Sequence, residues 1–236
     1  LRKPKNKIFN NLNIDFYPNW KTLIKSKLID AIVIATPPVA QEKIVKYALK
    51  NNKHIFCEKP LTESLIKAKK LNKILKRKKR VANIVNYIFP EIEIWKKFKS
   101  KINNKILINK IKLSWNMKLN LKKNSWKSKH SQGGGVLNNY SCHAIYYLEN
   151  LFGKIIFLNS KIHYKNRDLP YRLQASFCFF SGATAFADIN LFSKKKPIHK
   201  LEIETSKFDY SLKSDINNIF NRFKLIIKSK KGKKST

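Results

Sequence analysis

Two short apolar runs, each halted by proline and set some twenty residues apart, restrict the fold of this chain more tightly than anything else in it. Residues 32–35 (IVIA) run into Pro37 and Pro38, and the run in HIFCEKP (54–60) ends at Pro60. Runs this short and this rich in β-branched residues suit strands buried on both faces. Proline cannot donate to a sheet ladder and closes them. Between them, VAQEKIVKYALKN (39–51) places apolar residues at Val39, Ile44, Val45, Ala48 and Leu49, which predicts a helix with one buried face. Thr62 is the expected cap of a second helix over about 63–79, with Leu65, Ile66, Ala68, Leu71, Ile74 and Leu75 turned inward. VANIVNY (81–87) reads as a third strand, and residues 20–26 as a short helix ahead of the first. Strands joined by helices in this way run parallel, because the helix carries the chain back to the end of the sheet where it began.

Past residue 90 the rhythm changes. Residues 89–102 are expected to be helical, and ILINKIKLSWNMKL (106–119) alternates as a strand with one wet face does. A polar stretch over 120–132 leads to Gly133, Gly134 and Gly135, which open a helix running to about residue 152. Strand-like runs follow in IIFLNSKIHY, RLQASFCFF, ATAFADINLF and HKLEIET, with Ser181-Gly182 as a hairpin turn. The expected fold class is α/β plus α+β. Residues 1–88 form a partial parallel sheet with its helices, and residues 89–236 a domain with a large, mostly antiparallel open sheet. The lysine-rich tail beyond about residue 228 is expected to fray.

The formal net charge of +37 invites a polyanionic partner. Yet 45 of the 51 basic residues are lysine and six are arginine, whereas base-reading proteins rely on the planar arginine fork. The lysines are spread along the chain, and the segments 31–40, 81–90, 131–150 and 171–190 hold none. With asparagine and isoleucine also abundant, this is the excess that AT-rich coding writes onto a solvated surface, and no specific nucleic-acid partner is expected. No apolar run approaches the ~20 residues of a membrane span, and residues 1–20 lack the apolar core of a secretory signal. Neither a membrane partner nor export is expected. Cys57, Cys142 and Cys178 are odd in number, far apart and without metal-ligand spacing. They predict neither a metal site nor a disulfide framework, and point to reduced thiols in a cytoplasm.

Three clusters stand at strand ends or helix starts, where open α/β sheets place ligands. At Thr36-Pro37-Pro38 a hydroxyl could bond a cofactor ribose or phosphate, or the segment could be an ordinary strand-ending turn. Glu58-Lys59-Pro60 would stand beside a ligand in the sheet crevice, where a partly buried lysine could act as acid or base; a surface ion pair is the alternative. In GGGVLNNYSCHAIYYL (133–148), glycines allow close backbone approach. Asn139 and His143, four apart, share a helix face that otherwise buries Leu137, Ile145 and Leu148. Such a pair faces either a pocket or a satisfied core network.

The order of these pieces, IDAIVIATPP, HIFCEKPLTES, VANIVNYIF and then GGGVLNNYSCH, resembles the glucose–fructose oxidoreductase / inositol dehydrogenase / MocA family over roughly residues 14–205. The resemblance implies a partial Rossmann-like dinucleotide-binding domain and an α+β substrate and oligomerisation domain, with subunits paired through its sheet. It implies NAD or NADP as cofactor, a sugar-like substrate, and an active site at the domain junction. Lys59, His143 and Asn139 would be the catalytic residues. Thr36, Pro37, Gln41, Glu58, Lys59, Asn86, Trp126 and Lys127 would contact the cofactor. Three positions depart from the family pattern. Gln41 stands where histidine is frequent, Asn139 where aspartate is common, and Tyr146 where a second aspartate often falls. An amide orients a hydroxyl but does not take its proton, so the acid–base work shifts to His143 and Lys59.

The family's GxGxxG turn is absent from these 236 residues, and the chain is expected to be a fragment or the product of a decayed gene. A pyrophosphate then lacks backbone donors and a helix dipole worth about 0.3–1 kcal/mol or more. Titration calorimetry on the 236-residue chain is therefore expected to show NAD(P) binding weaker than micromolar. Micromolar affinity would mean that other groups hold the phosphates.

Overall fold

The computed structural model describes residues 14–102, 107–122, 124–214 and 222–230. The chain forms two compact units, residues 1–86 and 87–236.

The first unit is a three-stranded parallel sheet, β1 (Ala31–Ile34), β2 (His54–Glu58) and β3 (Asn83–Asn86), in that order. Helix α1 (Trp20–Lys25) precedes it, and α2 (Pro38–Lys50) and α3 (Leu65–Arg77) are the crossovers. Asn19 caps α1 by accepting from the Lys21 and Thr22 amides. Pro38 starts α2, where its missing N–H costs nothing. The core joins Ile24 of α1, Ile44, Val45, Ala48 and Leu49 of α2 and Leu71 of α3 to the inward side chains Ile32, Ile34, Ile55 and Cys57.

All three helices therefore cover the same face of this sheet, and three expectations are corrected. The strands are not buried on both faces. Val33, Phe56 and Ile84 are register neighbours and form an exposed row across the other face, Val33 keeping 73% of its surface. Helix α3 begins at Leu65 with Ser64, not Thr62, at the cap position; the Thr62 hydroxyl instead donates to the Ser64 carbonyl within the preceding turn. Its buried stripe is narrower than expected. Leu71 is buried, Ala68 and Leu75 are half-buried, and Leu65, Ile66 and Ile74 are exposed, as is Val39 of α2. One sheet face of three short strands is too small to cover every apolar side chain that the helical pattern offers.

The second unit is a seven-stranded sheet in the order β10-β9-β8-β4-β7-β6-β5. Its strands are β4 (Ile108–Asn116), β5 (Ile155–Tyr164), β6 (Pro170–Phe179), β7 (Thr184–Asn190), β8 (Ile198–Thr205), β9 (Phe208–Ser214) and β10 (Phe223–Ser229). Only the β4–β7 pair is parallel among the described pairings. Helices α4 (Glu93–Lys101) and α5 (Cys142–Phe152) pack on one face. There the core gathers Phe89, Trp95, Phe98, Leu113, Trp115, Tyr147, Phe177, Ile189, Leu201 and Leu212. The other face carries exposed Lys112, Ser176 and Phe186, and the Arg172–Asp188 pair, whose two bonds are 2.8 Å each. Strands β9 and β10 went unread in the sequence because FDYSLKS and FKLIIKS are short and mix lysine or aspartate with their apolar residues. The tail expected to fray from about residue 228 is still paired in β10 at Lys228 and Ser229, and the Lys230 amide donates to the Lys207 carbonyl; the rest of it lies outside the described residues.

Leu113 is fully buried on the central strand β4. Leu113→Ala is expected to cost about 2–5 kcal/mol, and Val33→Ala on the exposed row about 0.5 kcal/mol or less. Urea unfolding followed by tryptophan fluorescence and circular dichroism separates the two.

Candidate functional site

In the first unit the predicted residues gather at the carboxyl ends of the three strands. Glu58 ends β2 and Asn86 ends β3; they are register partners, and Asn86 Nδ2 donates to Glu58 Oε1 at 2.8 Å. Lys59 follows, half-buried, and its peptide bond to Pro60 is cis. Thr36 and Pro37 lie in the turn between β1 and α2. Gln41 on α2 is completely buried and joins two of these segments. Its Nε2 donates to the Thr36 carbonyl at 2.9 Å, and its Oε1 accepts from the Cys57 thiol at 2.6 Å. The amide of Gln41 is thus spent inside the protein, fixing the turn that carries Thr36. The Thr36 hydroxyl is buried and has no hydrogen-bond partner among the described residues. A buried hydroxyl of this kind, just past the strand that neighbours the one ending at Glu58, fits the polar edge of a dinucleotide ribose.

In the second unit the glycines perform a different task from the one expected. A Cβ on Gly134 would lie 2.4 Å from the Trp126 carbonyl oxygen and 2.6 Å from the Lys127 carbonyl. Gly135, at φ +79°, would meet Pro170 at 2.8 Å. The close approach they permit is to the chain itself. It presses the turn Trp126–Ser128 against the helix start, with Lys127 exposed and Trp126 half-buried. Between Gly135 and α5 lies a π-helical turn, Leu137–Ser141, in which the Cys142 amide bonds the Leu137 carbonyl. Such turns admit one extra residue into a helix and often mark functional sites. Asn139 sits within it and His143 just beyond, 7% and 6% exposed.

Aromatic rings wall His143. Tyr87 meets it edge-on at 5.8 Å, Phe89 at 5.1 Å and Trp115 at 6.4 Å. Tyr146, one turn further along, stacks on Tyr87 at 4.3 Å and remains 43% exposed. Tyr87 and Phe89 were missed from the sequence, though their place directly after the third strand was the available signal. A hollow of about 890 Å³ lies at the far end of α5 by Lys99, Glu149, Phe152 and Lys154, and no predicted site residue lines it. A groove of about 380 Å³ between α5 and strands β5 and β6 takes Asn138 and Cys142, not Asn139 or His143.

Residues 2–87 match the family model described as an oxidoreductase family with an NAD-binding Rossmann fold, and residues 99–189 match its companion C-terminal alpha/beta domain. The chain is 31% identical over 144 residues to 2,7-anhydro-N-acetylneuraminate hydratase of Escherichia coli, covering 56% of this chain and 36% of the hydratase. A D-xylose dehydrogenase of Paenarthrobacter nicotinovorans is 26% identical over 153 residues, covering 60% of this chain and 39% of that protein. A levoglucosan dehydrogenase solved with NADH and levoglucosan shares the fold with a TM-score of 0.76 at 18% identity, covering 90% of this chain and 64% of that one. The chain spans about half or less of the length of the curated relatives it matches.

Several buried groups resist ionisation. Burial, with the Glu58 charge, pushes the Cys57 thiol up to about 12, and burial pushes Tyr140 up to about 12. Burial also raises Tyr147 and Tyr87. Each group is protonated in the fold and ionises more readily once unfolded, so its contribution is intact below the unfolded pKa and is lost as pH rises through the folded one. Stability is expected to hold to about pH 9 and to fall steadily from there towards pH 12. Urea midpoints measured across that range test this, and a flat profile would contradict it.

Proposed function

The chain belongs to the Gfo/Idh/MocA oxidoreductase family, and from that premise we propose that it forms much of an NAD(P)-dependent enzyme acting on a hydroxyl or carbonyl of a sugar, cyclitol or nucleotide sugar. The nicotinamide supplies the site that accepts or donates the hydride. Residues 1–88 carry most of the cofactor's contacts and residues 89–236 most of the substrate's. Thr36 and Glu58 face the ribose side, Asn86 holds Glu58 in place through its 2.8 Å bond, and Gln41 holds the Thr36 turn. Pro37, Trp126 and Lys127 complete the cofactor contacts. Lys59 and His143 hold and move the hydroxyl proton, and Asn139 orients that hydroxyl. The observation that carries this reading is the buried, unpartnered Thr36 hydroxyl beside the linked Glu58–Asn86 strand ends. Relatives named for anhydro-sialic acid, xylose and levoglucosan support a carbohydrate substrate. The polar outer face of the seven-stranded sheet, with exposed Phe186, is the proposed surface for pairing of subunits. The three free cysteines suit a reducing cytoplasm.

A second reading, a non-catalytic or decayed relative that still binds its ligand, is favoured by Asn139, an amide in place of the family's carboxylate. Turnover decides between them. With levoglucosan, D-xylose and myo-inositol as trial substrates and NAD or NADP supplied, Lys59→Ala and His143→Ala are each expected to lower kcat by about 10²–10⁴-fold. Full activity in either variant would overturn its catalytic role. Ligand binding without turnover in the unaltered protein would establish the second reading.

A further inference from the structure

Lysine is spread along the whole chain, but its density peaks on one element. Residues 65–80, LIKAKKLNKILKRKKR, hold nine basic residues and no acidic one. Helix α3 and the turn after it carry Lys69, Lys70, Lys73, Lys76, Arg77, Lys79 and Arg80, all exposed. None of these seven has an ion-pair partner among the described residues. The neighbouring carboxylates are already engaged, Glu63 by Lys67 and Glu42 by Lys46 and Lys67. Lys70, Lys73 and Arg77 recur at the three- and four-residue spacing that aligns them on one side of the helix, where like charges repel. Lys76 and Arg77 complement the helix dipole; the charges further back do not. Beside this cationic stripe, at the start of the helix, Leu65 and Ile66 keep 69% and 67% of their surfaces.

We propose that α3 is a docking surface for an anionic lipid bilayer. A bilayer uses both features of the helix. Phosphate and carboxylate headgroups relieve the lysine repulsion, while Leu65 and Ile66 leave water for the boundary between headgroups and acyl chains. The binding is peripheral, since no helix of the described residues is long and apolar enough to cross a membrane. A nucleic-acid backbone would satisfy the charges but gives two exposed aliphatic side chains no use, and α3 holds no aromatic ring on which a base could stack.

Co-sedimentation of the full chain with phosphatidylcholine vesicles, with and without about one-third phosphatidylserine, tests this at about 150 mM salt. The anionic vesicles are expected to retain the chain about tenfold better than neutral ones, or more. The triple variant Lys70→Glu, Lys73→Glu, Arg77→Glu should abolish that preference; the new charges sit on an exposed face and lessen repulsion, so the helix is retained. The variant Lys97→Glu, Lys154→Glu, Lys161→Glu changes the net charge equally on exposed residues elsewhere and should retain most of the binding. Leu65→Ser with Ile66→Ser should weaken vesicle binding severalfold and leave retention of polyuridylate unchanged. Equal loss in the two charge variants would reduce the effect to overall charge and overturn the proposal. So would failure to bind anionic vesicles, or polyuridylate binding tighter than vesicle binding with no effect of the serine variant.

Discussion

At the centre of the second unit a buried polar contact ties helix to sheet. Tyr147 of α5 shares a 3.0 Å hydrogen bond with Nε2 of His199 on β8, and the His199 ring lies flat on Trp115 of β4 at 3.9 Å. All three side chains are fully buried. Inside a low-dielectric core such a bond is strong, and a lost partner leaves a costly unmet polar group. The contact therefore selects one seating of α5 on the sheet where apolar packing alone would tolerate several. The direction in which His143 points, one turn before Tyr147, follows from that seating. So does the position of Phe89, whose ring touches His143, Tyr147, Trp115 and His199 alike. The His143 imidazole is thus seated on a core that also fixes how much freedom it has.

The first unit uses the same economy on a smaller scale. One glutamine amide, bonded on one side to a turn carbonyl and on the other to a buried thiol, holds a strand-end loop against its own crossover helix. Cys57 acts there as a hydrogen-bond donor, not as a nucleophile, which agrees with a thiol that burial keeps protonated. The strand-end polar groups proposed to contact the cofactor are in this way set by a residue whose own amide is spent inside the protein.

Much of this was legible in the sequence, and the reason differs from place to place. The parallel strands were readable because proline ends each of the first two runs, and the order of EKP, VNY and the glycine–histidine helix carried the family. What one helix face buries was less readable. Leu65, Ile66 and Val39 fit an inward stripe by spacing, yet a sheet of three four- or five-residue strands has too little area to receive them. The purpose of Gly134 was hidden for another reason. Its neighbour in space is the Trp126–Lys127 backbone, eight residues upstream, and nothing in a local pattern announces that approach. The π-turn at Asn139 was invisible because helical spacing still looked regular across it.

That close approach also sets what the gene can tolerate. Every missense change of a glycine codon adds a Cβ, and at Gly134 the added carbon would strike main-chain atoms that no rotamer change can move aside. A coding sequence drifting towards lysine can rewrite the sheet's wet face one codon at a time and leave the fold intact. At this glycine the same drift meets a hard stop, set by the backbone itself.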